Sequence, residues 1–200
     1  MRGRPRNKLW GSLAEPTMLW PFNHFRKPPA PLRGTIETIY GMIVTQAREP
    51  LFYQDLGVPD TVNGRFDLLV LHLWMVLGRF KPVEGAPGLS QALFDRFCND
   101  MDANLREMGV GDLIVPKRMQ AFGEAFYGRV AAYDLALSLG EEPLAQALCK
   151  NILNGKDIVK ARRLAIYAET AIAGLAGFDD ATLLDATWKF PSPSEAGAEQ

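Results

Sequence analysis

The chain is short of the residues from which most enzymes build a reactive centre. Its two cysteines, Cys98 and Cys149, lie far apart, and its two histidines are His24 and His72. No CxxC spacing occurs, so there is neither a disulfide framework nor a thiolate metal knuckle. The two thiols read as half-buried groups in a reducing compartment. Two histidines exclude a multi-histidine metal site, and there is no CxxCH haem-attachment motif. Neither cysteine has a histidine near it in the chain, and no G-x-S-x-G elbow is present, so nucleophilic catalysis has no signature here. Long hydrophobic runs are also missing. The longest, FDLLVLHLWMVLGRF at 66–80, is too short to cross a bilayer and carries Asp67, His72 and Arg79. It reads as a buried central helix. The early basic residues are not followed by an apolar core and a cleavage site, so no secretory signal is expected. Nor does one sign of charge dominate: 22 basic residues face 23 acidic ones. That balance gives no footprint for specific nucleic-acid binding.

What the chain does have is an ordinary globular composition, 48% hydrophobic and 22% charged over 200 residues. This length suffices for one domain with a real core. Three regions are expected. Residues 1–34 read as a flexible basic arm, with Pro5, Pro16, Pro21, Pro28, Pro29 and Pro31 barring helix interiors. Arg2, Arg4, Arg6, Lys8, Arg26, Lys27 and Arg33 meet one acid there, Glu15. Within the arm, Trp20, Phe22 and Phe25 stand beside Arg26 and Lys27. Aromatic residues next to cations suit a membrane interface or a partner groove, and equally a fold-back onto the domain. Met18 offers a second start, and the sequence alone leaves open which methionine begins the protein. Residues 35–190 form the helical domain, and PSPSEAGAEQ at 191–200 reads as a disordered tail.

The domain is expected to be all-α, with six to seven helices. Ile36, Ile39, Tyr40, Ile43, Val44 and Ala47 trace one apolar face, which Pro50 ends. LGVPDTVNG at 56–64 has the composition of a structured loop. The apolar helix reaches Phe80, and KPVEGAPG breaks it. A third helix spans about 89–108, with Phe94, Phe97, Met101, Leu105 and Met108 on its buried face. A fourth begins near Pro116 and buries Met119, Phe122, Phe126, Val130, Tyr133 and Leu137. Its Gly123 and Gly128 are of the kind that mark close approach of another helix. Gly140 closes it, and helices follow at about 142–153, 157–176 and 180–189.

One stretch, NDMDANLREMGVGDLIVPKRM at 99–119, holds acids, a glycine pair and cations together. On a helix Asp100 and Asp102 point roughly 160–200° apart, so they cannot flank one bond as an acid/base pair. Arg96 with Asp100, and Asp102 with Arg106, instead form i, i+4 ion pairs. A calcium loop starting at Asp100 would need Gly and Glu where Leu105 and Gly111 stand. Gly109 reads as a left-handed helix stop against which Val110 packs back, and Asp112 would repel a phosphate from this corner.

Three segments together carry a resemblance: QAREPLFYQDLGVPDTVNGRFDLLVLHLWMVLGRF at 46–80, the stretch at 94–119, and EAFYGRVAAYDLAL at 124–137. Over roughly residues 35–175 the chain resembles the ubiquinol–cytochrome c chaperone family, and at its front the shorter bacterial members. The resemblance implies a non-enzymatic factor that binds cytochrome b, newly made or membrane-inserted, and promotes assembly of the cytochrome bc1 complex. It implies no cofactor. The implied setting is the cytoplasm, at the inner face of the membrane, with a small helper protein, the ribosome and a peripheral membrane contact as further partners. Family-type polar positions include Tyr53, Gly64, Asp67, His72, Asn104, Tyr127 and Tyr133. Candidate partner-binding residues are Arg48, Asp55, Asp60, Arg65, Asp100, Asp102, Arg106, Glu107, Asp112, Lys117 and Arg129. Trp20, Phe22, Phe25, Arg26 and Lys27 form the candidate arm contact. The 56–65 loop and the 100–118 segment are expected to share one surface. The competing reading is a helical haem- or quinone-binding module built on His72 and the aromatic helices.

Overall fold

Helix is the only regular structure among the described residues, and most helix ends coincide with a cap or a proline written in the sequence. The structure, a computed structural model, describes residues 30–83 and 87–194. The arm residues Trp20, Phe22, Phe25, Arg26 and Lys27 lie outside the described residues, as do residues 195–200 of the expected tail. In order come α1 (Ala30–Ala47), α2 (Pro50–Gln54), α3 (Val62–Phe80), α4 (Pro87–Glu107), α5 (Val115–Leu139), α6 (Glu141–Asn151), α7 (Ile158–Gly177) and α8 (Asp180–Leu184). Thr61, Asp157 and Asp179 cap α3, α7 and α8, each side chain accepting a first-turn amide at 2.7–3.2 Å. Such caps are worth about 1 kcal/mol each.

Four boundaries or placements differ from the sequence reading. The first helix starts at Ala30 rather than near residue 35, with Pro31 in its first turn, where a missing N–H costs nothing. Pro50 not only ends α1 but opens α2 as its first residue. The last helix stops at Leu184 instead of running to residue 189. Ala186 there takes a left-handed φ of 54°, and the chain turns so that Trp188 is buried. Finally, a Cβ at Gly128 would meet nothing within 4 Å, so that glycine does not mark a close helix approach.

The core is organised around α3, which packs against α1, α4, α5 and α7. Twelve of its 19 residues are buried, among them Leu68, Leu71, Leu73, Trp74 and Val76. Apolar burial of this kind contributes about 1.5–3 kcal/mol per large side chain. The wrapping also traps two ionisable groups, Asp67 and His72. Cys98 and Cys149 are buried free thiols, and burial pushes Cys98 up to about 12.

His72 is fully enclosed, and both its ring nitrogens are used. Its Nδ1 lies 2.7 Å from the Leu68 carbonyl and its Nε2 2.7 Å from the Tyr167 hydroxyl. A carbonyl can only accept, so Nδ1 carries the proton and Nε2 accepts from Tyr167. The Tyr167 oxygen in turn accepts from Gln46 Nε2 at 3.1 Å, and the same amide donates to the Pro191 carbonyl at 2.9 Å. Phe52 and Phe190 set their rings edge-on against the imidazole, with centroids 5.4 and 5.1 Å away. The ring therefore has no free nitrogen for an axial haem bond.

Burial holds the His72 imidazole down to about 4, against an ordinary value of 6.5. Between those values the unfolded chain carries a proton that the folded chain does not. The neutral ring therefore contributes stability at pH 7 that drains away as pH falls from 6.5 towards 4, by up to about 3 kcal/mol. In urea unfolding, the stability gap between the parent and His72→Gln is expected to narrow by that amount from pH 7 to pH 4. A gap that stays constant would show that the ring titrates normally in the fold.

Candidate partner-binding surface

The charged stretch of α4 follows from its apolar one. Phe94, Phe97, Met101 and Leu105 turn inward, which leaves Asp102, Asn104 and Arg106 on the outer side. Met108 does not join the buried stripe as its spacing suggested; it is 54% exposed. The reason is that α4 ends at Glu107 and Gly109 takes φ 80°, reversing the chain before another helical turn can form. Val110 N–H returns to the Leu105 carbonyl at 3.0 Å and Gly109 N–H to Arg106 at 2.9 Å. This is the glycine helix stop expected from the sequence.

Arg106 spans the corner that results. Its guanidinium pairs with Asp102 at 2.6 Å, one turn back on α4, and also with Asp112 on the far side of the reversal. All three side chains are in water, where such pairs add little to stability. Asp100 behaves differently. Its carboxylate accepts from Tyr40 Oη at 2.9 Å and from Asn104 at 3.3 Å, and lies 3.6 Å from Arg96. Arg96 also reaches Glu37 at 3.0 Å and stacks over the Tyr40 ring at 4.6 Å. Asp100 thus belongs to the seam that fastens α1 to α4.

A second charged group lies on the α2–α3 loop. Arg65 meets Asp60 at 2.8 Å, both exposed, and its guanidinium sits 6.0 Å from the Tyr53 ring. The Tyr53 hydroxyl donates to the Ala47 carbonyl at 2.7 Å. The loop folds so tightly onto α3 that a Cβ at Gly64 would stand 2.0 Å from the Pro59 carbonyl oxygen. Only glycine fits there. Arg48, Asp55, Glu107 and Lys117 are exposed, and among the described residues none of them forms a salt bridge.

Arg129 is placed inward. Its Nη2 lies 2.7 Å from Asp67 Oδ1, and its guanidinium sits 5.5 Å from the Phe66 ring. Burial raises Asp67 to about 6 even with this cation opposing the shift. The pair lacks hydrogen-bond alignment: among the described residues, Asp67 Oδ1, Arg129 Nε and the buried Tyr133 hydroxyl have no hydrogen-bond partner.

The structure therefore sorts the candidates into three sets. Asp60 with Arg65, and Asp102 with Arg106 and Asp112, form two exposed ionic groups. Arg48, Asp55, Glu107 and Lys117 are solvated individually. Asp100 and Arg129 join helices together. Among the described residues no salt bridge links the 56–65 loop to the 100–118 segment. The i, i+4 pairs were readable from spacing, whereas Glu37 and Tyr40 were not, because they meet α4 from 59 and 60 residues away. Among the described residues no group of three His, Cys, Asp or Glu side chains could hold a metal ion, and no helix is long and apolar enough to cross a membrane.

The ubiquinol-cytochrome C chaperone family profile matches residues 54–190. The chain is 30% identical over 120 residues to ubiquinol-cytochrome-c reductase complex assembly factor 1 of Xenopus laevis, covering 59% of each. It is 28% identical over 149 residues to Protein CBP3, mitochondrial, of Saccharomyces cerevisiae, covering 71% of this chain and 44% of that protein. The chain thus spans only about half the length of these curated relatives. The crystal structure of the Cbp3 homolog from Brucella abortus matches with a TM-score of 0.76 and 34% identity, over 82% of this chain and 93% of that one.

The two arginines of the candidate set should separate in a stability measurement. Arg129→Ala strands the Asp67 carboxylate in the interior and is expected to cost about 3–5 kcal/mol. Arg106→Ala removes exposed pairs and should leave the thermal midpoint unchanged within error. Equal losses in calorimetry would mean that the Asp67–Arg129 contact carries no special weight.

Proposed function

The chain belongs to the ubiquinol-cytochrome C chaperone family, and on that premise we propose that it is an assembly chaperone for the cytochrome bc1 complex that works by holding cytochrome b. The family match over 54–190 carries the reading. Its support is that relatives on both sides of the comparison, by sequence and by fold, bear the names of ubiquinol–cytochrome c reductase assembly factors or of Cbp3. The chain acts by binding rather than by catalysis, at the inner face of the cytoplasmic membrane where its client is inserted.

The charged loops suit that task physically. Asp60–Arg65 and Arg106–Asp102 are water-exposed pairs held by little net energy. Such pairs can exchange partners with charged loops of a client at low cost, and the planar guanidinium matches a carboxylate with two bonds. Rim charges of this kind tune the rate and selectivity of capture more than its final affinity. Asp55, Asp60, Arg65, Asp102, Arg106 and Glu107 therefore make up the proposed client face, with Arg48 and Asp112 at its margins. Arg129, bound to Asp67, supports this face from inside rather than touching the client.

Deletion of the gene tests the reading. The expected result is loss of ubiquinol–cytochrome c reductase activity and of the complex's b- and c-type cytochrome bands, with recovery when this chain is supplied again. A tagged copy should also co-purify cytochrome b. Normal activity and spectra in the deletion strain would remove the proposed function.

A further inference from the structure

The α4–α5 corner leaves the domain as an apolar tip. Leu113 is 97% exposed and Ile114 52%, beside the exposed Met108, while the adjoining Val115 and Leu105 are buried. This exposure is built in by backbone bonds on both sides. The glycine stop holds Val110 and Gly109 to the end of α4, and Ile114 N–H reaches the Gly111 carbonyl at 2.8 Å. Arg106 ties Asp112 back to α4, and α5 begins immediately behind at Val115, with Pro116 in its first turn. Phe66 packs against Phe97 and Phe122, with centroids 6.1 and 4.9 Å away. Along their own axes, α4 runs roughly 15 Å beyond Phe97 and α5 starts roughly 10 Å before Phe122, whereas α3 starts only roughly 6 Å before Phe66. The corner therefore stands out past the start of α3.

Its flank is basic. Lys117 and Arg118, on the first turns of α5, are exposed and form no salt bridge among the described residues. With Ile114, Gln120, Ala121 and Glu124 they line an open hollow of about 510 Å³ next to the tip. Asp112 is held by Arg106, while Glu107 at the end of α4 and Glu124 in the hollow, which accepts from Gln120 at 3.0 Å, form no salt bridge among the described residues.

We propose that this corner is a peripheral membrane contact, in which Met108, Leu113 and Ile114 enter the interfacial layer of an anionic bilayer while Lys117 and Arg118 lie against its phosphate headgroups. A tip of three side chains offers far less than the roughly 800 Å² per partner that a stable protein interface buries. Lipid needs no such matched surface, because it closes around an apolar projection. The adjacent cations complement a negatively charged leaflet. It rests on the membrane-face location proposed for the assembly role and adds an orientation, while its test does not require that role.

Flotation of the full chain with vesicles of phosphatidylcholine, alone or mixed with phosphatidylglycerol, tests it. Because Cys98 and Cys149 are buried, a Leu113→Cys variant can carry an environment-sensitive dye at the tip. Binding to the anionic vesicles, a dye shift into an apolar environment and weakening by salt are expected. Leu113→Ser with Ile114→Ser should reduce binding roughly tenfold without changing the helical circular-dichroism signal. Lys117→Glu with Arg118→Glu should remove the preference for anionic lipid. The proposal fails if the chain binds neither vesicle, if the double serine variant binds like the parent, or if the bound dye stays in water. Loss of cytochrome b capture in the serine variant with vesicle binding intact would assign the tip to a protein client instead. None of these outcomes depends on the phenotype of the deletion strain.

Discussion

Enclosing α3 on several sides sets most of the polar groups it buries against a partner on a particular neighbour. A buried polar atom without a hydrogen bond costs a few kcal/mol, and a buried charge more. His72 therefore selects Tyr167 on α7, Trp74 donates to Asp134 on α5 at 2.6 Å, and Asp67 takes Arg129, also on α5. Near the end of the helix, Arg79 reaches the Leu175 and Phe178 carbonyls at 3.1 and 2.9 Å. Apolar packing alone would allow α3 to rotate or slide among its neighbours. The directional bonds of His72, Trp74 and Arg79, with the Asp67–Arg129 charge pair beside them, fix its register against α5 and α7, and with it the position of the loop that precedes α3.

The legible part of the fold was the part with local causes. Apolar spacing along α1, α4 and α5 reports which face turns inward, and Gly109 and Pro116 mark a reversal, because both signals act within one helical turn. The i, i+4 pairs Arg96–Asp100 and Asp102–Arg106 were legible for the same reason. What could not be read depends on residues distant in the chain. Nothing near Arg129 indicates that Asp67 awaits it, and Tyr40 sits in an apolar stripe that gives no hint of Asp100. The end of α8 is a third case. Its helical pattern continues past Leu184, but burial of Trp188 against Phe190, with centroids 5.2 Å apart, bends the chain first.

The charged candidates thus divide by burial rather than by residue type. Asp100 and Arg129 look like recognition residues in the sequence, yet each fastens two helices. Asp60, Arg65, Asp102 and Arg106 are no more polar, but water already satisfies them, which leaves them free to trade partners. The apolar tip at Leu113 sits near this exchangeable charge and differs from it in kind. A factor handling a membrane-embedded client would need both: a surface that reads charge, and a point that touches the lipid.

The segment at 188–191 bears on how the chain is made. Phe190 closes the aromatic cage of His72, and the Pro191 carbonyl takes the amide of Gln46 from 145 residues earlier. The innermost polar network is therefore incomplete until almost the whole domain has been synthesised. Closing so long a loop is among the slower steps a helical protein can require. A domain of this design passes through an interval of open core before its innermost contacts can close.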